Sequence, residues 1–239
     1  MISNTVIQNL AKKLQSTELN IRREYIQHLF LSYFYQQLEA DNIYFKGGTA
    51  LRIIHQSPRF SEDLDFSSAT TGINKIENIL IQTIREIERE GIGTDIKESK
   101  KTSGGYIGII HCTLRDQEIA IQLEISQRKG RTQREVVTIA NDFIPPYTLI
   151  SLSQSQLVTE KIQALLSRQK ARDFYDLYFM LRAHLIPARK KNVLQKVLSL
   201  LNKSNIHYEQ ELKQFLPRSH WTIIKNFKTV LMQELERSV

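Results

Sequence analysis

The chain has 239 residues, enough to bury a substantial core as one large domain or two small ones. A hydrophobic fraction of 41% with 24% charged residues is that of an ordinary globular protein, and no apolar run approaches the roughly 18 residues a membrane span needs. Lys and Arg total 33 against 25 Asp and Glu, a formal charge of +8 and a pI near 9.5, which admits a polyanionic partner without naming one.

The N-terminus lacks the basic region and pure apolar stretch of a secretory signal. The single cysteine, Cys112, has no intrachain partner and reads as a small buried hydrophobe. A cytoplasmic protein with no membrane partner is the expectation.

In chain order, residues 4–40 read as two helices. Val6, Ile7, Leu10, Ala11 and Leu14 share one helical face, and Ile21, Tyr25, Leu29 and Tyr33 another. Residues 42–46 form a short strand entering Gly47-Gly48, and Thr49 is placed to cap a helix carrying Ala50, Leu51, Ile53 and Ile54. Residues 63–67 read as a second strand. A long amphipathic helix spans about 73–90 and stops at Gly91. Residues 94–98, 106–114, 118–126 and 135–140 read as strands, the middle pair joined at Arg115-Asp116-Gln117; the 102–105 segment reads as a mobile loop.

Pro145-Pro146 is the clearest break, and the periodic segments beyond it are helical, at about 153–168, 171–183, 188–202, 208–216 and 219–237. The expected organisation is α+β: a mixed β-sheet with flanking helices over 1–145, then an all-helical C-terminal domain over 146–239.

The chemistry-bearing stretch is Lys46-Gly-Gly-Thr-Ala-Leu51 followed by Arg59-Phe-Ser-Glu-Asp-Leu-Asp-Phe66. Side chains alternate along a strand, so Asp63 and Asp65 share one face while Leu64 and Phe66 face a core. Two carboxylates so close repel each other unless a cation lies between them, and Mg2+ suits such oxygen ligands together with substrate phosphates. The glycine pair lets phosphate approach the backbone, the helix start offers N–H groups, and Thr49 adds a hydroxyl. Taken separately, a Gly-Gly-Thr turn or an Asp-x-Asp strand is more often purely structural; the two together describe a phosphate cradle beside a metal cradle.

These residues resemble the AbiEii/AbiGii-type nucleotidyltransferases, a family that includes the MenT-type toxins and lies within the DNA polymerase β-like nucleotidyltransferase superfamily. The family pattern is Gly-Gly-Thr or Gly-Ser, a short helix, then Arg-x-Ser-x-Asp-x-Asp-Phe, and Lys46–Leu51 with Arg59–Phe66 matches it throughout. The resemblance implies a nucleotidyltransferase fold, an NTP substrate, Mg2+ held by Asp63 and Asp65, and nucleotide contacts from Lys46, Gly47, Gly48, Thr49 and Ser61. The superfamily also uses a third carboxylate from a later strand. In residues 118–126 the apolar residues Ile119, Ile121, Leu123 and Ile125 share one face and Glu124 lies on the other, as that ligand or a general base would; the family more often has Asp there.

Residues 159–168 and 171–178 match the family as well. Lys161 and Arg168 are two turns apart on one helical face, and Arg172-Asp173-x-x-Asp176 opens the next helix. On spacing alone, Arg172 and Asp176 form an i,i+4 pair and Lys161 is solvated. The resemblance instead implies that Lys161 and Asp173 are required for activity, with Arg168 and Arg172 on the nucleotide and the C-terminal domain completing the cleft. Asp176 is left to orient either Arg172 or Lys161, and Tyr175 and Tyr178 read as core.

Arg128, Lys129, Arg131 and Arg134 surround Gly130 between two expected strands, and Arg189-Lys190-Lys191 is a second basic run. With the +8 charge these point to nucleic acid, and the resemblance narrows the acceptor to the tRNA 3′ end, with a cognate antitoxin as protein partner. The six histidines show no zinc spacing, and no Walker loop or Gly-x-Ser-x-Gly occurs. The leading expectation is a toxin of a toxin–antitoxin or phage-defence pair. A protein or small-molecule acceptor, or a non-catalytic nucleotide-binding module, remains as an alternative.

Overall fold

The computed structural model describes residues 1–68, 71–127, 132–187 and 191–238, with Lys191 described by its backbone alone. The chain divides into two compact units. The first comprises Met1–Gln56 and Phe60–Leu152, and the second Ser57–Arg59 and Ser153–Val239.

In the first unit α1 (Asn4–Lys13) and α2 (Glu18–Phe34) start at Ser3 and Thr17, whose hydroxyls accept from Val6 N and Asn20 N. A short 3-10 helix, Leu38–Asn42, leads into β1 (Tyr44–Lys46), α3 (Gly47–His55), β2 (Leu64–Ser68) and α4 (Ile73–Arg89). Strands β3 (Gly93–Thr102), β4 (Gly105–Leu114), β5 (Gln117–Gln127), β6 (Arg134–Ile139) and β7 (Tyr147–Leu152) follow.

One seven-stranded sheet results, in the order β3-β4-β5-β2-β1-β7-β6. The pairs β2/β5 and β1/β7 are parallel and the rest antiparallel, so the sheet is mixed. Alternation sets its two faces: Phe45, Leu64, Phe66, Leu123 and Ile125 are buried, while Asp65 and Glu124 point the other way. Helices α2 and α4 pack together and against this sheet. Phe66 stacks on Phe34 at 5.1 Å, and burial pushes the Cys112 thiol up to about 12.

Three expectations change. Residues 147–152 form a strand, not part of the helical half, because they pair with both β1 and β6; the division of the chain follows at Leu152, after the proline pair. The 102–105 segment is a tight hairpin turn, with Thr102 paired to Gly105. Helix α2 is buried on nearly all sides, including Arg22, Glu24, Gln27 and His28, so its apolar stripe understates its role.

The second unit contains α5 (Gln154–Arg168), α6 (Ala171–Arg182), α7 (Lys191–Lys203), α8 (Tyr208–Leu212), α9 (Trp221–Lys225) and α10 (Phe227–Ser238). Phe227 packs on Tyr175 at 5.7 Å and on Tyr208 at 4.9 Å, which puts Tyr175 in the core as expected. Lys228 Nζ donates to the Asn202 and Ser204 carbonyls and so closes the end of α7. Among the described residues no helix is long and apolar enough to cross a membrane.

Candidate active site

Gly47 turns the chain from β1 into α3 at φ +86°, a conformation that favours glycine. The helix begins at Gly47, two residues before the expected cap. Thr49 therefore lies inside the first turn, fully buried, and its hydroxyl donates to the Asp63 carbonyl oxygen. That bond fixes the backbone leading into β2. No side chain caps α3, so Gly47 and Gly48 begin a helix whose first N–H groups face no capping side chain.

Asp65, on β2, is in register with Lys46 on antiparallel β1 and with Glu124 on parallel β5. In-register partners project from the same sheet face, about 4.8 Å apart per strand. Lys46, Asp65 and Glu124 thus form one row across three strands. Among the described residues neither the Asp65 nor the Glu124 carboxylate accepts a hydrogen bond or joins an ion pair; Glu124 is exposed and Asp65 half-buried. Asp63 immediately precedes β2, two residues from Asp65. The Asp65 carboxylate packs on the backbone of Gly47 so closely that a Cβ there would lie 2.1 Å from Oδ2.

Lys46 is buried, and its ammonium donates to Ser126 Oγ at 2.8 Å; Ser126 in turn donates to the Phe66 carbonyl at 3.1 Å. Ser126 is a site residue that sequence reasoning missed. Its only signal was its place two residues after Glu124, on the same strand face.

The loop carrying the motif is held from α2. Gln27 Nε2 donates to the Ser61 and Glu62 carbonyls, and Arg23 pairs with Glu62 at 3.0 Å. Ser61 thus contributes its carbonyl to the scaffold. Arg52 of α3 pairs with buried Glu24 at 2.8 Å and lies over the Phe60 ring at 4.0 Å.

The second unit holds a separate buried charge cluster. Asp176 accepts both arms of the Arg59 fork, at 2.8 and 3.0 Å, and the Lys161 ammonium at 2.7 Å. Burial pushes the Asp176 carboxyl up, but Arg59 and then Lys161 outweigh it and hold it at about 2. The spacing reading of this helix is overturned: Lys161 is buried, not solvated, and Asp176 orients Lys161, not Arg172. The fork of Arg59, itself buried, takes the place the i,i+4 pair would have used. Arg172 has its Nε buried without a hydrogen-bond partner and makes no ion pair among the described residues. Arg168 makes a fork with Asp173, whose Oδ2 also accepts from Lys170 N at the start of α6.

Of the basic loop, Arg128, Lys129 and Arg131 lie outside the described residues, as do Arg189 and Lys190. Arg134 is exposed, donates to the Asp41 carbonyl at 2.9 Å and stands 5.9 Å from the Tyr44 ring centroid.

A mixed sheet with Asp65 on β2 beside the Gly47-Gly48-Thr49 start of α3 is the arrangement expected of a nucleotidyltransferase. The chain matches the family described as nucleotidyl transferase AbiEii toxin, type IV TA system, over residues 29–235, and it belongs to that family. No curated protein sequence matches it. Among solved structures it is similar to JHP933 from Helicobacter pylori, with a TM-score of 0.58 and 20% identity over 93% of this chain and 95% of that one. It is also similar to an H. pylori protein provisionally described as a nucleotidyltransferase, with a TM-score of 0.59 and 19% identity over 92% and 98% of the two chains. At such identities these two likenesses speak to the fold.

Proposed function

We propose that this nucleotidyltransferase is the Mg2+-dependent toxin of a toxin–antitoxin pair and transfers a nucleoside monophosphate from an NTP to the 3′-terminal hydroxyl of tRNA. The observation that carries the reading is the row of Asp65 and Glu124, adjacent carboxylates without partners among the described residues, set against the start of α3.

The donor set suits a hard divalent cation, since all its ligating atoms are oxygens and the Asp65 and Glu124 carboxylates have no partner among the described residues. Among the described residues no three His, Cys, Asp or Glu side chains are gathered tightly enough to hold a metal by themselves. Mg2+ does not require that, because it usually keeps waters and substrate phosphates beside one or two carboxylates. Asp65 and Glu124, with Asp63, would hold it. When bound, it supplies charge neutralisation at the transferring phosphoryl group.

This chain's own groups do the rest. The N–H groups of Gly47 and Gly48 at the start of α3 receive phosphate oxygens, with Lys46 beside them. Lys161, held by Asp176, and the Arg168–Asp173 fork are proposed as required for transfer. The charge of +8 and the 128–134 basic segment support a polyanionic acceptor. The family supports an antitoxin as protein partner. A single buried cysteine fits a reducing cytoplasm.

The test is incubation with total tRNA, Mg2+ and each α-labelled NTP in turn, beside Asp65→Ala. Label entering tRNA only with the intact chain supports the proposal. Label entering protein instead, or nucleotide bound and never transferred, overturns the tRNA acceptor.

A further inference from the structure

Arg23 and Gln27 are four residues apart, so they share one face of α2, and both meet the residues that lead into β2. Gln27 is buried, and its Nε2 donates to two successive carbonyls, Ser61 at 2.9 Å and Glu62 at 3.0 Å. The nitrogen carries two protons, one for each oxygen, and the amide cannot turn over without setting its own oxygen against both carbonyls. The next carbonyl along the chain, that of Asp63, accepts from the buried Thr49 hydroxyl of α3. Three consecutive carbonyls are thus held by side chains of two helices, just before the β2/β5 ladder begins at Leu64.

The consequence falls on Asp63. A peptide unit is planar, so holding its oxygen restrains the whole unit. The Glu62–Asp63 unit is held through the Glu62 carbonyl by Gln27, and the Asp63–Leu64 unit through the Asp63 carbonyl by Thr49. These two units meet at the Asp63 Cα, and with both held, φ and ψ there are set. The direction of its Cα–Cβ bond follows, which leaves the carboxylate only its own side-chain torsions. The clamp acts on the backbone and holds whatever the carboxylate itself touches.

We propose that Gln27 and Thr49 are positioning residues that clamp the two peptide units flanking Asp63, so that its carboxylate is aimed at a divalent cation beside Asp65. The inference rests on the metal reading above. Neither side chain touches the metal; each acts through Asp63.

The experiment is a calorimetric titration of the full chain with Mn2+ alone, with no nucleotide present. Wild type is compared with Gln27→Met, Thr49→Val, Asp63→Asn, Asp65→Asn, and each clamp variant combined with Asp63→Asn. Gln27→Met and Thr49→Val keep side-chain size and remove the donors. Each is expected to weaken Mn2+ binding at least about fivefold, which corresponds to about 1 kcal/mol. Neither is expected to weaken it further once residue 63 has lost its charge, because the ligand to be positioned is gone. Leu29→Ala, two positions from Gln27 and so on the far side of α2, lowers stability and is expected to bind Mn2+ as wild type does. Circular dichroism at the titration temperature checks folding; if Gln27→Met does not fold, Thr49→Val decides.

Unchanged binding in either clamp variant, or an equal loss with Asp63→Asn already in place, overturns the proposal, as does an equal loss in Leu29→Ala. Wild-type binding in Asp63→Asn beside weakened binding in Asp65→Asn overturns the clamp alone. If both Asp variants bind Mn2+ as wild type does, the metal reading itself falls.

Discussion

The Asp65 carboxylate occupies the space a side chain at Gly47 would need, with Oδ2 2.1 Å from the position of a Cβ. The strand that carries the acid and the turn that opens α3 are thus fitted to each other at one atom. Gly47→Ala meets two penalties: φ +86° costs an L-residue roughly 1–2 kcal/mol, and the carboxylate must move. A drop in melting temperature of several degrees is expected, with transfer activity lost far beyond what that loss of folded protein explains. An active Gly47→Ala protein would show that the position of Asp65 is not critical.

Asp65→Asn and Glu124→Gln test the carboxylate row by a sign. Each removes charge repulsion between neighbours that lack partners among the described residues, so the metal-free protein is expected to melt at the same temperature or slightly higher. Transfer is expected to fall about 100-fold or more, as when a preorganised electrostatic group is removed. Calorimetry in EDTA beside single-turnover transfer reads both. A clear loss of stability in either variant would mean that its carboxylate is structural.

The helical pieces and most strands were legible because apolar periodicity survives in α4 and in the alternation of β4 and β5. The placement of Asp65 and Glu124 on the open side of the sheet was legible for the same reason: a polar residue on an otherwise apolar strand stands out. What was hidden depends on pairing across long sequence separation. Strand β7 is recognisable only through its partners β1 and β6. The acceptor role of Ser126 needs the register of β5 on β2, and Gln27 shows its purpose only where it meets the Ser61 and Glu62 carbonyls. Local spacing also misled at Arg172–Asp176, because a distant guanidinium, Arg59, offered a buried fork that an i,i+4 neighbour on a half-exposed helix face could not match.

That fork predicts an order of stabilities. Asp176→Asn removes the carboxylate charge that buried Arg59 and Lys161 share and is expected to cost about 3–5 kcal/mol. Arg59→Met leaves Asp176 one cation, Lys161, and is expected to cost less. Arg172→Ala, which breaks no ion pair among the described residues, is expected to cost under about 1 kcal/mol. Urea unfolding of the three variants gives the order. A cost for Arg172→Ala equal to that of Asp176→Asn would restore the local pair that the structure rejects.

His28 makes stability depend on pH in a stated direction. Burial lowers its pKa from 6.5 to about 3, with the Arg52 charge adding to the shift, and its Nδ1 lies 2.9 Å from the Tyr147 hydroxyl. A lowered histidine pKa means that the unfolded chain binds the proton first as pH falls. Stability from this group is therefore intact above about pH 6.5 and declines between there and pH 3, by at most roughly 1.4 kcal/mol per pH unit. His28→Gln removes the titration while keeping a polar group, so its melting temperature is expected to be lower at pH 7.5 but to fall less steeply between pH 6.5 and 4.5. The carboxylates titrate in both proteins, so the difference between the two curves isolates His28. Parallel curves would show that the ring is protonated in the folded state at the same pH as in the unfolded chain.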